Sequence, residues 1–324
     1  MDKLDLHEEF VKALSAKIPK RIDLQNYIAD ILKIERDSAY RRLTGKVNFS
    51  VREMGIIADG LHMSIDQLRQ KEYEYLWMPF MLEFPQKIRS MDILADMIDV
   101  NFKKMSDMSR DSLCEAGNVY NSLPLEFYAF SPVLTKFMFF KWGYYFVKSE
   151  EFYNFSSWEL PKRLAAITDK FNAIYNFRDS FYVWDNSLIW TLVKEIDNFY
   201  RMSIITEEEK NAIKNELKEL LSKIEQTLNG TFVPELPLLK DMSFYVSAMN
   251  IGFISCYYEG QDQHFAIFQT NFTFSIIDNS DKNFQQIKEW IKSFRNISTL
   301  LSHSGRIERR LFFDTQHKII DFRL

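Results

Sequence analysis

The chain has 324 residues, 46% of them hydrophobic, and a formal net charge of -4. That length accommodates one small globular unit and one of ordinary domain size. The mild acidity excludes a surface coated in basic residues for indiscriminate nucleic-acid binding, so any contact with nucleic acid must be local.

The first predicted helix is marked by Leu6, Phe10, Leu14 and Ile18, recurring every four residues, and Pro19 stops it because proline cannot continue the hydrogen-bond ladder. Asp23 is placed to cap a second helix whose buried face is Leu24, Ile28, Ile31 and Leu32, with Ala29 leaving room for a close neighbour. After the turn Lys33-Ile34-Glu35, a third helix puts Ala39 and Leu43 inward, four apart, so that Arg36, Asp37, Tyr40 and Arg41 point outward. Gly45 ends it. Two capped starts come next: Ser50 with Glu53 and a Phe49/Met54 staple, then Ser64 opening a fifth helix through Leu68. Met54, Ile57, Ala58 and Leu61 form the stripe that covers the first three helices. Between residues 33 and 52, six cations (Lys33, Arg36, Arg41, Arg42, Lys46, Arg52) face two anions (Glu35, Asp37), a local surplus of four positive charges in an acidic chain.

Through Gln25, Ile28-Ala29, Leu32, Ile34, Ala39, Arg41, Leu43, Gly45-Lys46, Ser50, Ala58, Leu61, Ser64 and Leu68, residues 6–70 resemble the phage-repressor-like (XRE-type) helix-turn-helix family. The resemblance implies binding to double-stranded DNA, with Gln25, Ser38, Arg42, Lys46 and Asn48 on phosphates and Arg36, Asp37, Tyr40 and Arg41 toward base edges. This sequence departs from the family at Lys33, where a turn glycine is common, at Glu35, where a capping Ser or Thr is common, and at His62. Lys33 implies a slightly different turn, since a left-handed non-glycine residue costs ~1 kcal/mol or more. A carboxylate in the groove is repelled by phosphates unless it accepts from a cytosine amino group or braces Arg41. Asp37 is expected to brace Arg41, four residues on.

Beyond residue 72, the aromatic stretch from Lys71 to Pro85 is expected to pack against the larger unit. Ile88, Met91, Ala95, Ile98, Phe102 and Met105 then form a stripe at three-four spacing, read as core first and as a dimer seam second. Helices are predicted over 137–147, 161–177, 182–200 and 207–228, the last opening on the capping box of Thr206 and Glu209. After Pro237 the residues become β-branched and aromatic, so 243–258 and 265–277 are read as a hairpin, followed by a helix from Asp281 through Trp290 to Leu301. The fold expected is mainly α: residues 1–72 as the five-helix DNA-binding domain, and residues 73–324 as a larger, mostly helical sensor or dimerisation domain. Its only sheet is a small antiparallel one near the end.

Catalytic and metal signatures are not visible. The five histidines (7, 62, 264, 303 and 317) have no ligand spacing, there is no phosphate-cradling glycine loop, and Asp111 and Glu115 read as acids on a solvated helix face. Cys114 and Cys256 fit buried free thiols in a reducing compartment. The charged N-terminus lacks a signal-peptide core, and the apolar run 127–147 is broken by Lys136 and Lys141, short of the ~18 uncharged residues a membrane span requires. The expectation is a cytoplasmic transcriptional regulator, not an enzyme, with neither cofactor nor metal and no membrane contact. It would bind double-stranded DNA as a homodimer and answer to a small-molecule or peptide effector. The alternative is an adaptor that uses the helix-turn-helix for protein contacts.

Overall fold

The computed structural model describes residues 6–61, 63, 65, 81–83, 89–109, 114–128, 131–166, 179–234, 236, 242–261, 263–270 and 274–324. The chain divides into two compact units, Met1–Pro79 and Phe80–Leu324. The predicted fifth helix apart from Ile65, His62, the aromatic stretch 71–85 apart from Met81–Glu83, the 72/73 boundary, Asp111, residues 167–177 of the predicted helix 161–177 and residues 271–273 all lie outside the described residues.

The first unit contains α1 (Leu6–Lys17), α2 (Arg21–Leu32), α3 (Arg36–Leu43) and α4 (Val51–Gly60). Phe10 and Leu14 of α1, Leu24, Ile28 and Ala29 of α2, Ala39 and Leu43 of α3, and Met54 and Ile57 of α4 close on one another with Phe49 as a single core. Asp23 does not cap α2. The helix begins three residues earlier, with Lys20 at the cap position, and Asp23 falls in the first turn, where its negative charge complements the positive end of the helix dipole. At α4 the expected capping box forms in full: Ser50 Oγ accepts from the Glu53 N–H at 3.2 Å and Glu53 Oε2 accepts from the Ser50 N–H at 2.8 Å.

The second unit is rich in helix, but it overturns the expectation of a single small antiparallel sheet near its end. It is built on an eight-stranded mixed sheet in the order β1-β7-β6-β5-β2-β3-β4-β8. The strands are β1 (Met81–Glu83), β2 (Glu115–Tyr120), β3 (Asp179–Trp184), β4 (Ser243–Val246), β5 (Ile254–Glu259), β6 (His264–Thr270), β7 (Phe274–Asp278) and β8 (Thr299–Leu300). Strands β2, β3 and β4 are parallel neighbours, and the other pairings are antiparallel. The hairpin between 259 and 264 is present, but each predicted strand is two strands. Of the first pair, β4 lies beside β3 while β5 lies beside β2. Residues 182–184, read as the start of a helix, belong to β3, and Glu115 opens β2 instead of lying on a helix.

Two helical layers cover the sheet. On one face lie α5 (Met91–Ser109), α6 (Leu125–Tyr128), α7 (Pro132–Trp142), which continues as a π turn over Gly143–Val147, α8 (Lys162–Ala165), α9 (Trp190–Arg201), α10 (Glu207–Leu228) and α12 (Arg306–Arg323). Their apolar residues close with Tyr182, Trp184 and Phe244 of the sheet into one aromatic core. Met91, Ala95, Ile98 and Phe102 of α5 are buried there, so the three-four stripe is core and not a free seam. The opposite face is covered by α11 (Asp281–Asn296), which packs on β2, β3, β5 and β6. Beneath it, Lys288 Nζ pairs with Glu115 at 2.7 Å and with Glu259, and Lys292 Nζ lies 3.0 Å from Glu115. Although burial opposes it, Lys288, Lys292 and Tyr257 hold the Glu115 carboxyl below the usual carboxylate range. The helix runs to Asn296, not to Leu301, because residues 299–300 pair with β4.

Among the described residues no helix is long and apolar enough to cross a membrane.

Candidate nucleic-acid interface

The geometry of the turn between α2 and α3 decides where α3 points. Lys33 closes α2 with φ 52° and ψ 48°, the left-handed conformation that glycine would supply. The Ile34 N–H donates to the Ala29 carbonyl at 3.0 Å, the six-residue closure of a Schellman turn, and Ile34 packs against the core. The departure at Lys33 therefore leaves the turn type intact and costs about 1 kcal/mol of strain.

The start and end of α3 are each tied down by side chains from other elements. At the start, Gln25 Nε2 donates to the Arg36 carbonyl at 2.8 Å. At the end, Arg42 Nη2 and Nε donate to Glu53 Oε1 at 2.8 and 3.2 Å, while Nη1 donates to the Ser38 carbonyl at 3.2 Å. One carboxylate thus caps α4 with one oxygen and holds α3 with the other. Burial opposes the charge on Glu53, but the Ser50 amide and the Arg42 guanidinium outweigh it and hold its carboxyl below the usual range.

His7 completes the support. Its ring is 5% exposed; Nδ1 accepts from the Phe49 N–H at 3.1 Å, so Nε2 carries the proton and donates to the Arg42 carbonyl at 3.0 Å. A histidine with no metal-ligand spacing is here a two-ended strut between α1, the end of α3 and the entry to α4.

What remains outward is the face that the spacing predicted. Arg36, Asp37, Tyr40 and Arg41 are exposed, as are Lys46 and Asn48 beyond the helix, and Ser38 is half-buried. The Arg21 guanidinium lies 5.3 Å from the centroid of the Tyr40 ring, which adds a cation that the sequence did not single out.

Two expectations change. Gln25 and Arg42, both assigned to phosphates, hydrogen-bond within the unit to the start and the end of α3, so both also help to set its angle. The Asp37–Arg41 brace does not form: among the described residues of this unit the ion pairs are Lys12–Glu9 and Arg42–Glu53. A single helical turn separates Asp37 from Arg41, but both side chains are exposed, and pairing them in water gains too little to order two flexible side chains.

The arrangement can present cations and hydrogen-bond donors from a short, rigidly held helix of about 12 Å to a groove of similar width. Among the described residues no group of three or more His, Cys, Asp or Glu side chains could hold a metal ion. Compared with known protein families, curated proteins and solved structures, the chain matches none.

Proposed function

We propose that the chain is a cytoplasmic, sequence-specific DNA-binding transcriptional regulator that works by binding and not by catalysis, with unit Met1–Pro79 as its DNA-reading head. The observation that carries the proposal is α3 itself: Ala39 and Leu43 are sealed into the core while Arg36, Tyr40 and Arg41 stand in solvent, fixed by Gln25, Glu53 and His7. A solvated surface helix needs no such anchoring, whereas a reading helix depends on it, because base contacts tolerate little angular error. In this reading Arg41 and Arg36 recognise guanine, Tyr40 packs on a base edge or sugar with Arg21 behind it, and Lys46 and Asn48 meet phosphates. A homodimer would set two copies of α3 about 34 Å apart on one face of the duplex and multiply two weak half-site affinities.

The adaptor reading retains one observation in its favour. Ile22 and Val51, at the first turns of α2 and α4, are apolar side chains left 74% and 81% exposed in this unit. Selection of bound duplexes from a random-sequence pool by the full chain separates the two. The regulator reading expects a recurrent motif with two half-sites, and a pool that shows no enrichment after repeated rounds would favour the adaptor.

A further inference from the structure

Arg21 belongs to none of the residues that apolar spacing or the family resemblance directs at DNA, yet it touches the outward face of α3. It is the first residue of α2 and that helix's only basic side chain. Its guanidinium carbon lies 5.3 Å from the centroid of the Tyr40 ring, in the middle of α3. One turn along α2 and one turn back along α3, Gln25 Nε2 donates to the Arg36 carbonyl at 2.8 Å. Residues 21 and 25 share one face of α2, as residues 36 and 40 share one face of α3, so the helices meet at two points a turn apart on each. The Gln25 contact holds backbone. The Arg21 contact holds a side chain.

Two properties separate this contact from core packing. Arg21 and Tyr40 are both exposed, Tyr40 at 39%, and neither belongs to the core of the unit. Arg21 also makes no ion pair among the described residues, where those of this unit are Lys12–Glu9 and Arg42–Glu53. A guanidinium is flat and weakly hydrated, so it stacks on a ring while its charge stays in solvent. An exposed tyrosine otherwise moves among its staggered rotamers, and a plate against the ring narrows that choice and leaves the uncovered surface outward.

With α3 as the DNA-reading helix, on which this rests, we propose that Arg21 is a positioning residue that determines specificity: it holds the Tyr40 ring where its apolar surface meets the 5-methyl group of a thymine. Among the features that base pairs display in the major groove, that methyl group is the apolar one, and a ring held in one orientation is its complement. Arg36 and Arg41 stand on either side of Tyr40 in the chain, so the half-site expected sets a thymine beside guanine.

Replacing the thymines of a selected duplex by uracil, one at a time, tests it, because each exchange removes a single methyl group and keeps every hydrogen-bonding edge. Anisotropy titrations at low salt compare the full natural chain with Arg21→Ala and Tyr40→Ala, both substitutions at exposed positions whose fold melting curves verify. At one thymine per half-site the natural chain is expected to lose about fourfold in affinity, the worth of one buried methyl group. That loss should vanish in Tyr40→Ala and fall below about twofold in Arg21→Ala, since a loosened ring meets the methyl group only part of the time. A motif without a methyl-sensitive thymine, a methyl effect that survives in Tyr40→Ala, or one unchanged in Arg21→Ala overturns the proposal. In the last case, uniform weakening of all duplexes with a flatter salt slope would make Arg21 a plain phosphate contact. Failure to select any duplex is a different result, which removes the reading of α3 and this proposal with it.

Discussion

The guanidinium of Arg42 faces inward: its Nη2 lies 2.8 Å from Glu53 Oε1, which joins the end of α3 to the cap of α4. Arg42→Ala is therefore expected to destabilise the first unit by roughly 1.5–3 kcal/mol, because it strands a half-buried carboxylate as well as removing a charged hydrogen bond. Amide exchange in α3 and α4 reports it. A variant that leaves exchange unchanged while weakening binding to duplexes would return Arg42 to the phosphate-contacting set.

The same pair gives a pH dependence of known sign. The carboxyl of Glu53 is depressed in the folded chain, so its contribution is fully present above the unfolded value of about 4.3 and is lost as pH falls through the lower folded value. Exchange in α3 should accelerate over that acid window in the natural chain and change less in Glu53→Gln. Identical profiles would remove the Arg42–Glu53 link from the account.

Lys33 carries avoidable strain. Replacing it with glycine should stabilise the turn by about 0.5–1 kcal/mol, while Lys33→Val should cost more than about 1 kcal/mol, since a β-branched residue resists positive φ most. Thermal melting of the two variants in parallel measures the difference, and a null result for valine would mean that the turn is not left-handed in solution.

Arg309 is 2% exposed, and its guanidinium caps the end of α10 by donating to the carbonyls of Leu228 and Leu301 and to Asn229. Arg309→Ala leaves several buried acceptors without donors and should cost roughly 3 kcal/mol or more in chemical denaturation of the larger unit. A loss below about 1 kcal/mol would show that water replaces the guanidinium at no cost.

Glu126 should behave in the opposite way to Glu53. Its folded pKa is raised, so its ionised form weakens the fold once pH exceeds the ordinary carboxylate value. Glu126→Gln keeps an acceptor for Tyr182 and is expected to raise the melting temperature at neutral pH, with no gain in acid below about pH 4. A lower melting temperature at neutral pH would show that the carboxylate supports the fold.

The first unit was largely legible because its signals are local. Four-residue apolar spacing, the Ser50/Glu53 box and the glycine after α3 each report on a few neighbouring positions. The ties that aim α3 were not, since Gln25–Arg36, Arg42–Glu53 and His7–Phe49 join residues whose nearness arises only after folding. In the larger unit the parallel strands escaped notice for a physical reason. Covered by helices on both faces, β2 and β3 lose the alternation that marks a half-exposed strand, and the FYVW run of β3 reads as readily as a helix. The last helix, α12, hides its period behind polar side chains: Arg309 and Gln316 occupy buried positions in register with Phe312, Phe313 and Ile320.

The central claim is that α3 reads DNA, and the most direct measurement is anisotropy titration of a selected duplex by the full chain, Arg41→Ala and Lys46→Ala at several salt concentrations. The account predicts steeply salt-dependent binding. Arg41→Ala should lose about 1–3 kcal/mol of discrimination between cognate and mutated sites, and Lys46→Ala should weaken all duplexes alike and flatten the salt slope by about one unit. Binding that is indifferent to salt, or two variants that behave identically, would contradict it.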